Sequence, residues 1–256
     1  MSRTFVVTGA SSGIGKGIAE RLESKGHRIL RVSRSNADIS ADLGKPEDRA
    51  RVIEEVARLA PEGIDGVCTS AGMSDPSRPD LVTATNYFGT TDLIEGLYPQ
   101  FRKPGARCVA ISSVGMLQAG DSSAKLQELC LAGDEDGARE EASKLTLMEV
   151  YPGTKQALSI WARSVATRPD WAGEGVMVNV ISPGIVATPM NEAALADPEL
   201  DAKRQKASPR VAKGVAQPED IAELADFLLN CETNHLIGQV IFHDSGTEAI
   251  LRPQLK

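Results

Sequence analysis

Tyr151 and Lys155 have the residue types and the spacing of a proton-transfer pair. On a helix, residues four apart lie on the same face, so the two side chains would point into one site. An unperturbed tyrosine has a pKa of about 10, which is too high for efficient proton exchange at neutral pH. A lysine cation beside the ring favours tyrosinate and lowers that pKa. The pair therefore predicts acid–base chemistry, although the spacing alone is common and needs support from its context.

A glycine-rich loop near the N-terminus is a second candidate site. Thr4–Thr8 has the pattern of a buried strand, and an apolar helical face begins at Ile14 and ends before Gly26. Glycines between them let the backbone turn tightly and approach a pyrophosphate, whose charge the helix N-terminus binds. The same glycines would also suit a turn that only packs helix against strand, but the order strand, loop, helix favours a cofactor site. The loop residues are Gly9, Ser11, Ser12, Gly13, Ile14 and Gly15.

Strand and helix patterns alternate along the whole chain. Such alternation gives a parallel sheet with helices on both faces, the doubly wound α/β architecture. The sequence has no repeat or linker, so a single Rossmann domain is predicted for residues 1–256. The predicted strands are Thr4–Thr8, Arg28–Ser33, Ile64–Thr69, Arg107–Ser112, Val176–Ile181 and Gln239–His243; the predicted helices include one from Pro46, Leu81–Phe101, Tyr151–Val165 and Pro218–Leu229.

One segment interrupts this alternation. Between Ser113 and Tyr151 lie 37 residues, far more than a usual connection. Residues 123–147 are rich in Ala, Glu, Lys and Leu, which predicts one or two extra helices in an insertion at about 115–150. The insertion is expected to be a solvated surface feature, a substrate lid or an altered subunit interface.

The loop Thr8–Gly15 reads Thr-Gly-x-x-x-Gly-Ile-Gly and resembles the cofactor loop of the short-chain dehydrogenase/reductase family. Asp42-Leu43, Ser70-Ala71-Gly72 and the segment 183–188 (Pro-Gly-Ile-Val-Ala-Thr) also resemble that family, with Ser70 in place of the usual Asn. The resemblance extends from residue 4 to about 246 and implies a Rossmann fold that binds NAD(H) or NADP(H). It implies further cofactor contacts from Asp42, Leu43, Ala71, Gly72, Tyr151, Lys155, Pro183, Val186 and Thr188.

The resemblance also implies a catalytic role for four residues that occur in the order Asn, Ser, Tyr, Lys. Ser113 aligns with the serine that binds the substrate oxygen, and Ser112 is the alternative if the register is off by one. Asn86 aligns with the asparagine that holds a water in the proton relay, and Lys155 would also bind the nicotinamide ribose. Tyr151 would then donate a proton to a carbonyl oxygen as hydride reaches the carbon. Serines at strand ends and asparagines in helices are also common for structural reasons, so the assignment depends on all four occurring together.

Within the family, the chain resembles the bacterial 3α-hydroxysteroid dehydrogenase/carbonyl reductase type. The features are Asn86-Tyr87-Phe88-Gly89, the long insertion and the segment 238–253, in which Asp244-Ser245-Gly246 departs from the usual Asp-Gly-Gly. The resemblance implies a small-molecule carbonyl or alcohol substrate, and hydroxysteroids, aromatic ketones or aldehydes and aryl alcohols all fit. An apolar pocket is expected near Met116, Leu117 and Met190. A homodimer is expected as well, because insertion helices in this type obstruct the usual tetramer contact and two-fold dimers are common.

The end of the second strand predicts which cofactor is preferred. NAD-dependent Rossmann enzymes place an acidic residue there, which binds the adenosine ribose and repels a 2′-phosphate. Here Arg28–Ser33 is followed by Arg34, whose guanidinium fork suits a phosphate, while Ser33 adds a hydroxyl. We therefore expect NADP(H) to be preferred, with NAD(H) as the alternative. Asp38 would favour NAD(H) if the loop folded back towards the site, but it lies five residues after Ser33.

The composition restricts the remaining function classes. A net charge of −7 without a long basic stretch argues against nucleic acid or an anionic membrane as partner. The four cysteines and three histidines lack metal-ligand spacing, so no metal site is expected and a reducing cytoplasm fits. No apolar run has the length of a membrane span. The alternative to an enzyme is a non-catalytic cofactor-binding sensor or scaffold, which would be expected to lack part of the Asn–Ser–Tyr–Lys set.

Overall fold

The computed structural model describes residues 2–254 and contains one parallel sheet. Its strands are β1 Thr4–Thr8, β2 Arg28–Ser33, β3 Ile39–Ser40, β4 Gly66–Thr69, β5 Arg107–Ile111, β6 Met177–Pro183 and β7 Val240–His243. They are hydrogen-bonded in the order β3-β2-β1-β4-β5-β6-β7. Because strand order reverses direction between β1 and β4, a crevice opens at the carboxyl ends of these two strands. The predicted doubly wound Rossmann architecture is confirmed.

Helices cover both faces of the sheet. Several of them begin at proline, whose fixed φ and missing N–H suit the first helical position. Within residues 2–254, no helix is both long enough and apolar enough to cross a membrane. The α-helices are α1 Gly13–Ser24, α2 Pro46–Leu59, α3 Pro79–Thr83, α4 Gly89–Gly96, α5 Ala124–Ala132, α6 Glu135–Ala142, α7 Leu147–Ala166, α8 Pro169–Ala172, α9 Pro189–Ala196, α10 Pro198–Ala207, α11 Pro218–Asn230 and α12 Thr247–Leu251.

The central strands are apolar on both faces, as a fully covered parallel sheet requires. In β1, Phe5 and Val7 pack on the side of α1 and α11, while Val6 packs on the side of α2, α4 and α7. All five residues of this strand are buried. Burial on both faces fixes the register of β1 against its neighbouring strands, and with it the position of the loop that follows Thr8.

The helix predicted over Leu81–Phe101 is interrupted in the structure. The chain forms α3, then a π-helical turn at Ala84–Phe88, then α4, and it ends in a short 3₁₀ turn at Tyr98–Gln100. A π-helical turn is rare and is concentrated at functional sites. Here the turn contains Asn86, whose side chain is fully buried and bonds to a neighbouring loop. Apolar periodicity could not show this bulge, because the helix axis continues through it.

Other predicted boundaries shift by a few residues for local reasons. The predicted strand Ile64–Thr69 pairs with the sheet only from Gly66, and Ile64 forms an isolated bridge with Phe101. Helix α7 begins at Leu147 instead of Tyr151, because Thr146 and Glu149 form a capping box that satisfies its first turn. Tyr151 therefore lies one turn inside the helix, in a more fixed position than a helix terminus would give it.

The insertion before Tyr151 contains two helices, α5 and α6, as its composition predicted. Arg49 of α2 attaches α6 to the domain. Its side chain is 1% exposed and lies 3.0 Å from Asp92 of α4 and 2.5 Å from Glu135 of α6. Leu126 and Cys130 of α5 pack into the core beside α7. The insertion is thus anchored to the body of the domain by both apolar and charged contacts.

Candidate active site

A cleft of about 310 Å³ lies at the carboxyl ends of β1, β4, β5 and β6. This volume lies at the lower end of the range found for small-molecule sites. Each residue that the sequence predicted to contact a cofactor lines it: Gly9, Ser11, Ser12, Gly13, Ile14, Gly15, Ser33, Arg34, Asp42, Leu43, Ala71, Gly72, Tyr151, Lys155, Pro183, Val186 and Thr188. Residues from six separate segments of the chain are therefore brought together.

The glycine loop leaves room for a group that approaches its backbone. Gly9 has φ +66°, and a Cβ at this position would lie 2.9 Å from the backbone nitrogen of Ala71. A Cβ at Gly15 would collide with the carbonyl oxygen of Gly9. Helix α1 begins at the loop with no acidic residue in its first turn, so its free N–H groups face the cleft without a competing carboxylate. This cradle fits a pyrophosphate.

The loop after β4 is held against the glycine loop by Thr8. Its Oγ1 accepts hydrogen bonds from the backbone nitrogens of Ser70 (3.1 Å) and Ala71 (3.0 Å). Thr8 is fully buried at the end of β1. One hydroxyl thereby fixes the separation of the two loops that form the walls of the cleft.

The end of β2 presents hydroxyl and guanidinium groups to the cleft. Ser33 and Ser11 share a hydrogen bond of 2.7 Å between their hydroxyls, and both line the cleft together with the exposed Arg34. Asp38, the residue that would favour NAD(H), instead accepts a hydrogen bond of 2.8 Å from the backbone nitrogen of Arg31 and does not line the cleft. Asp42 uses one carboxylate oxygen to bind the backbone nitrogen of Gly44.

Tyr151, Ser113 and Lys155 meet at the floor of the cleft. Ser113 and Tyr151 lie side by side: a Cβ at Gly115 would lie 3.3 Å from Ser113 Oγ and 3.5 Å from the Tyr151 ring. Ser113 Oγ also accepts a bond of 3.1 Å from the backbone nitrogen of Gly115. Lys155 Nζ lies 5.9 Å from the centre of the Tyr151 ring and donates to the carbonyl of Ile111 at 2.9 Å. Two hydroxyl groups and one ammonium group therefore face the same space.

The electrostatics of this group differ from the sequence-based expectation. Burial raises the pKa of Tyr151, and the hydrogen bond to Ser113 and the charge of Arg204 lower it only in part. The expected lowering by Lys155 is wrong for this arrangement, because the ammonium group is directed at the Ile111 carbonyl. Burial also lowers the pKa of Lys155 to about 8. Both shifts have the same origin, since burial disfavours whichever form of a side chain is charged.

The choice between the two serines after β5 follows from their hydrogen bonds. Ser112 is 3% exposed and donates its hydroxyl to the backbone oxygen of Lys155 at 2.9 Å. It also lies 3.1 Å from the Ser159 hydroxyl, so its hydrogen-bonding capacity is used within α7. The Ser113 hydroxyl lies next to the Tyr151 ring, since a Cβ at Gly115 would lie within 3.5 Å of both. The geometry favours Ser113 over Ser112 as the substrate-binding hydroxyl.

Asn86 does not line the cleft. Its side chain forms two bonds to the backbone of Met73, with Oδ1 accepting at 2.8 Å and Nδ2 donating at 3.0 Å. These bonds fix the loop after β4, and the role of Asn86 in holding a relay water stays a prediction. A Cβ at Gly72 would lie 3.2 Å from Oδ1 and 3.8 Å from Lys155 Nζ, so a small space separates these two groups.

The substrate end of the cleft is lined by α9, and α10 packs behind it; the sequence analysis predicted neither helix. Met190 of α9 lines the cleft as expected, together with Asn191. Met116 and Leu117, which were expected to line it, do not; the sulfur of Met116 instead accepts hydrogen bonds from serine hydroxyls outside the cleft opening. The sequence analysis also missed lining residues that carry no motif, among them Val32, Leu81, Thr85 and Ile111.

Sequence and structure comparisons agree with this architecture. A family described as short chain dehydrogenase matches residues 3–124, and one described as enoyl-(acyl carrier protein) reductase matches residues 139–248. A 3-alpha-hydroxysteroid dehydrogenase/carbonyl reductase from Comamonas testosteroni is 32% identical, covering 97% of this chain and 98% of that protein. A coniferyl-alcohol dehydrogenase from a Pseudomonas species is 31% identical over 96% of both chains.

A similar fold is known from a solved structure. The crystal structure of a 3-alpha-hydroxysteroid dehydrogenase from Pseudomonas sp. B-0831, complexed with NADH, superposes with a TM-score of 0.89. It is 32% identical and covers 99% of this chain and 100% of that chain. The similarity therefore includes the glycine loop, the insertion and the two helices at the substrate end.

Proposed function

Because the chain belongs to the short-chain dehydrogenase/reductase family and is an NAD(P)-dependent oxidoreductase of CH–OH and C=O groups, we propose that Tyr151 exchanges a proton with the substrate oxygen. The observation that supports this most directly is that Ser113, Tyr151 and Lys155 line the same cleft as the glycine loop. When bound, the cofactor supplies or accepts a hydride at the substrate carbon. The glycine loop, Ala71, Gly72 and the segment 183–188 would hold it.

Each residue at the floor of the cleft has a separate task in this proposal. Ser113 binds the substrate oxygen and stabilises the negative charge that develops there. Tyr151 donates its proton to the same oxygen during reduction and accepts a proton during oxidation. Lys155 would bind the nicotinamide ribose of the cofactor and pass protons to and from the site. A water in the space beside Gly72 would then return a proton to the site through Lys155, with Asn86 fixing the loop that bounds this space.

We propose that the substrate is a secondary or aryl alcohol, or the corresponding ketone or aldehyde. Relatives named for 3-alpha-hydroxysteroids, carbonyl reduction and coniferyl alcohol are 31–32% identical to this chain. Met190 provides an apolar contact at the substrate end, while Asn191 adds a polar one. A ring system bearing one carbonyl or hydroxyl group satisfies both features.

We propose further that NADP(H) is preferred over NAD(H). Arg34, Ser33 and Ser11 line the end of the cleft next to β2, and Asp38 is directed away from it. Replacing a repelling carboxylate by a guanidinium is expected to favour binding of NADP(H) over NAD(H) by roughly 2–3 kcal/mol, or thirty- to a hundredfold. The related hydroxysteroid dehydrogenase was solved with NADH, so the preference is a specific prediction for this chain.

The proposed activity is tested with purified wild-type protein and a panel of aryl ketones, oxosteroids and their alcohols, followed by nicotinamide absorbance. We expect turnover of at least one compound, with kcat/KM for NADPH exceeding that for NADH. Equal values for the two cofactors would contradict the cofactor preference. Cofactor binding without turnover of any compound would favour the non-catalytic sensor instead.

We also propose a homodimer and a cytoplasmic location. The side chain of Phe227 on α11 is 58% exposed, and Ile250 and Leu251 of α12 are exposed as well; contact with a second copy would cover this surface near the last helices. Cys68, Cys108, Cys130 and Cys231 are all free thiols, as is usual in a reducing compartment. Light scattering of the wild type and of Phe227→Asp tests the dimer: a stable tetramer, or a wild-type monomer, would count against it.

A further inference from the structure

The two helices at the substrate end place an arginine behind the wall of the cleft. Arg204 of α10 donates Nη1 to Oδ1 of Asn191 at 2.9 Å. Asn191 lines the cleft and donates its own Nδ2 to the carbonyl of Val186 at 2.9 Å. The last residue of α10, Ala207, accepts a hydrogen bond of 3.0 Å from Gln118, a few residues beyond Ser113. Arg204 is thus held one hydrogen bond behind Asn191, in the wall of the cleft that Tyr151 and Ser113 also line.

Arg204 differs from the other arginine in this region. Arg210 is neutralised by Asp201, with two contacts of 2.9 and 3.0 Å, and also bonds to Gln205. Within residues 2–254, Arg204 has no carboxylate within ion-pair distance, and Asn191 is its one hydrogen-bond partner. Asp201, one turn earlier on α10, is engaged by Arg210. Among the described residues, no carboxylate therefore neutralises this half-buried guanidinium, and most of its N–H donors have no protein acceptor.

The charge of Arg204 acts inside the active site. It is among the groups that lower the pKa of Tyr151, alongside the hydrogen bond to Ser113. The geometry agrees, since Asn191, to which Arg204 is hydrogen-bonded, lines the same cleft as Tyr151 and Ser113. A substrate whose oxygen is bound by Tyr151 and Ser113 can extend along this cleft towards Asn191 and the cation behind it.

We infer that Arg204 binds an anionic group of the substrate, so that the preferred substrate is a ketone or alcohol that carries a carboxylate. A planar guanidinium suits a carboxylate because it offers parallel N–H donors at the right spacing. The inference rests on the proposed function and adds the substrate class. It also assigns a specificity-determining role to a residue on a helix that no sequence motif marks.

The test compares oxocarboxylates with their neutral esters. Phenylglyoxylate, benzoylpropionate and benzoylbutyrate place the carboxylate at increasing distances from the ketone, and each has a methyl ester of nearly the same shape. The wild type is expected to have a higher kcat/KM for at least one acid than for its ester. In Arg204→Gln, kcat/KM for that acid should fall roughly ten- to a hundredfold, while kcat/KM for the ester changes by less than about threefold.

Three variants separate recognition from other effects. Lys203→Gln removes the same unit charge from an exposed position on α10 and should leave the acid-to-ester ratio unchanged. Arg204→Lys keeps the charge but not the fork, and should restore part of the ratio. Asn191→Ala removes the hydrogen bond that holds Arg204. If both Asn191→Ala and Arg204→Gln lower kcat/KM for the acid and for the ester by the same factor, Arg204 only fixes the helix and the inference is wrong.

The outcomes also distinguish this inference from the proposed function. If the wild type reduces the esters but not the acids, or if Arg204→Gln leaves the acid-to-ester ratio unchanged, the oxidoreductase assignment stands and the carboxylate is rejected. If no acid, ester or neutral ketone is reduced with either cofactor, the proposed function fails and the inference fails with it.

Discussion

The two ends of the cleft are built in different ways. The cofactor end is formed by backbone: glycines at positions 9 and 15 that a Cβ would obstruct, the N-terminus of α1, and loop nitrogens held by Thr8. The substrate end is lined by side chains of α9, and Asn191 connects this wall to Arg204 of α10. Backbone sites tolerate few residue types at each position, whereas a side-chain site can be rebuilt by substitution on the same scaffold. We therefore expect the first end to determine cofactor binding and the second to determine the choice of substrate.

The largest effect is expected from a substitution in the backbone of the cofactor end. Gly15→Ala places a methyl group against the Gly9 carbonyl, where only backbone could give way. We expect a loss of about 3 kcal/mol, the upper part of the cost of overpacking, and a Tm lower by about 6–12 °C for a chain of this size. Cofactor affinity, measured by fluorescence titration, should fall at least tenfold.

Gly120→Ala is the matched control for this change. Gly120 has φ −112° and no atom within 4 Å of an added Cβ. Because neither backbone strain nor contact opposes the methyl group, stability should stay within about 0.5 kcal/mol of the wild type. Equal losses of Tm in Gly15→Ala and Gly120→Ala would show that the cofactor end is not restricted by its backbone.

A smaller effect is expected at the cofactor end from a substitution that changes only the preference between NADPH and NADH. Arg34→Ala removes the guanidinium beside Ser33 while leaving the glycine loop unchanged. The ratio of kcat/KM for NADPH over NADH should fall by roughly thirty- to a hundredfold, mainly through KM for NADPH. A wild-type preference for NADH that persists in Arg34→Ala would mean that Arg34 does not face the 2′-phosphate.

The smallest effect concerns the substrate end and is seen in pH dependence. The Arg204 cation lowers the pKa of Tyr151, so removing it in Arg204→Gln raises that pKa. Alcohol oxidation needs tyrosinate, and its rate increases with pH through this pKa; the profile of kcat/KM for a neutral alcohol should therefore shift to higher pH. Lys203→Gln, with an exposed lysine on the same helix, should leave the profile in place. A shift to lower pH would contradict the placement of Arg204.

The sequence predicted the cofactor end more completely than the substrate end, and the reason is physical. A residue such as Gly15 is dictated by its immediate neighbours, so the strand–loop–helix order identifies it. The position of Arg204 depends on how α10 packs beside α9, and α10 has no regular apolar face in its sequence from which this packing could be predicted. The Asn86 bonds to Met73 likewise depend on a π-helical turn that periodicity does not reveal.

Two further features of the structure depend on side-chain direction and backbone conformation, which the sequence patterns did not predict. Lys155 was expected to lower the pKa of Tyr151, but the spacing of four residues fixes only the shared helix face and not the direction of the ammonium group. Asp244-Ser245-Gly246 was noted as a departure from Asp-Gly-Gly; the structure shows Ser245 at φ +60°, a conformation in which glycine is usual because it has no Cβ. Pairwise sequence patterns do not report these three-dimensional constraints.

The central claim is that Tyr151 transfers the proton, and Tyr151→Phe tests it most directly. The variant removes one hydroxyl from the floor of the cleft and leaves the ring and the glycine loop in place. Turnover of the best ketone should fall by about a thousandfold or more, because general acid catalysis typically contributes factors of 10²–10⁴, while the Kd for NADPH stays within about threefold of the wild type. Turnover of Tyr151→Phe close to that of the wild type, with cofactor bound normally, would contradict the account.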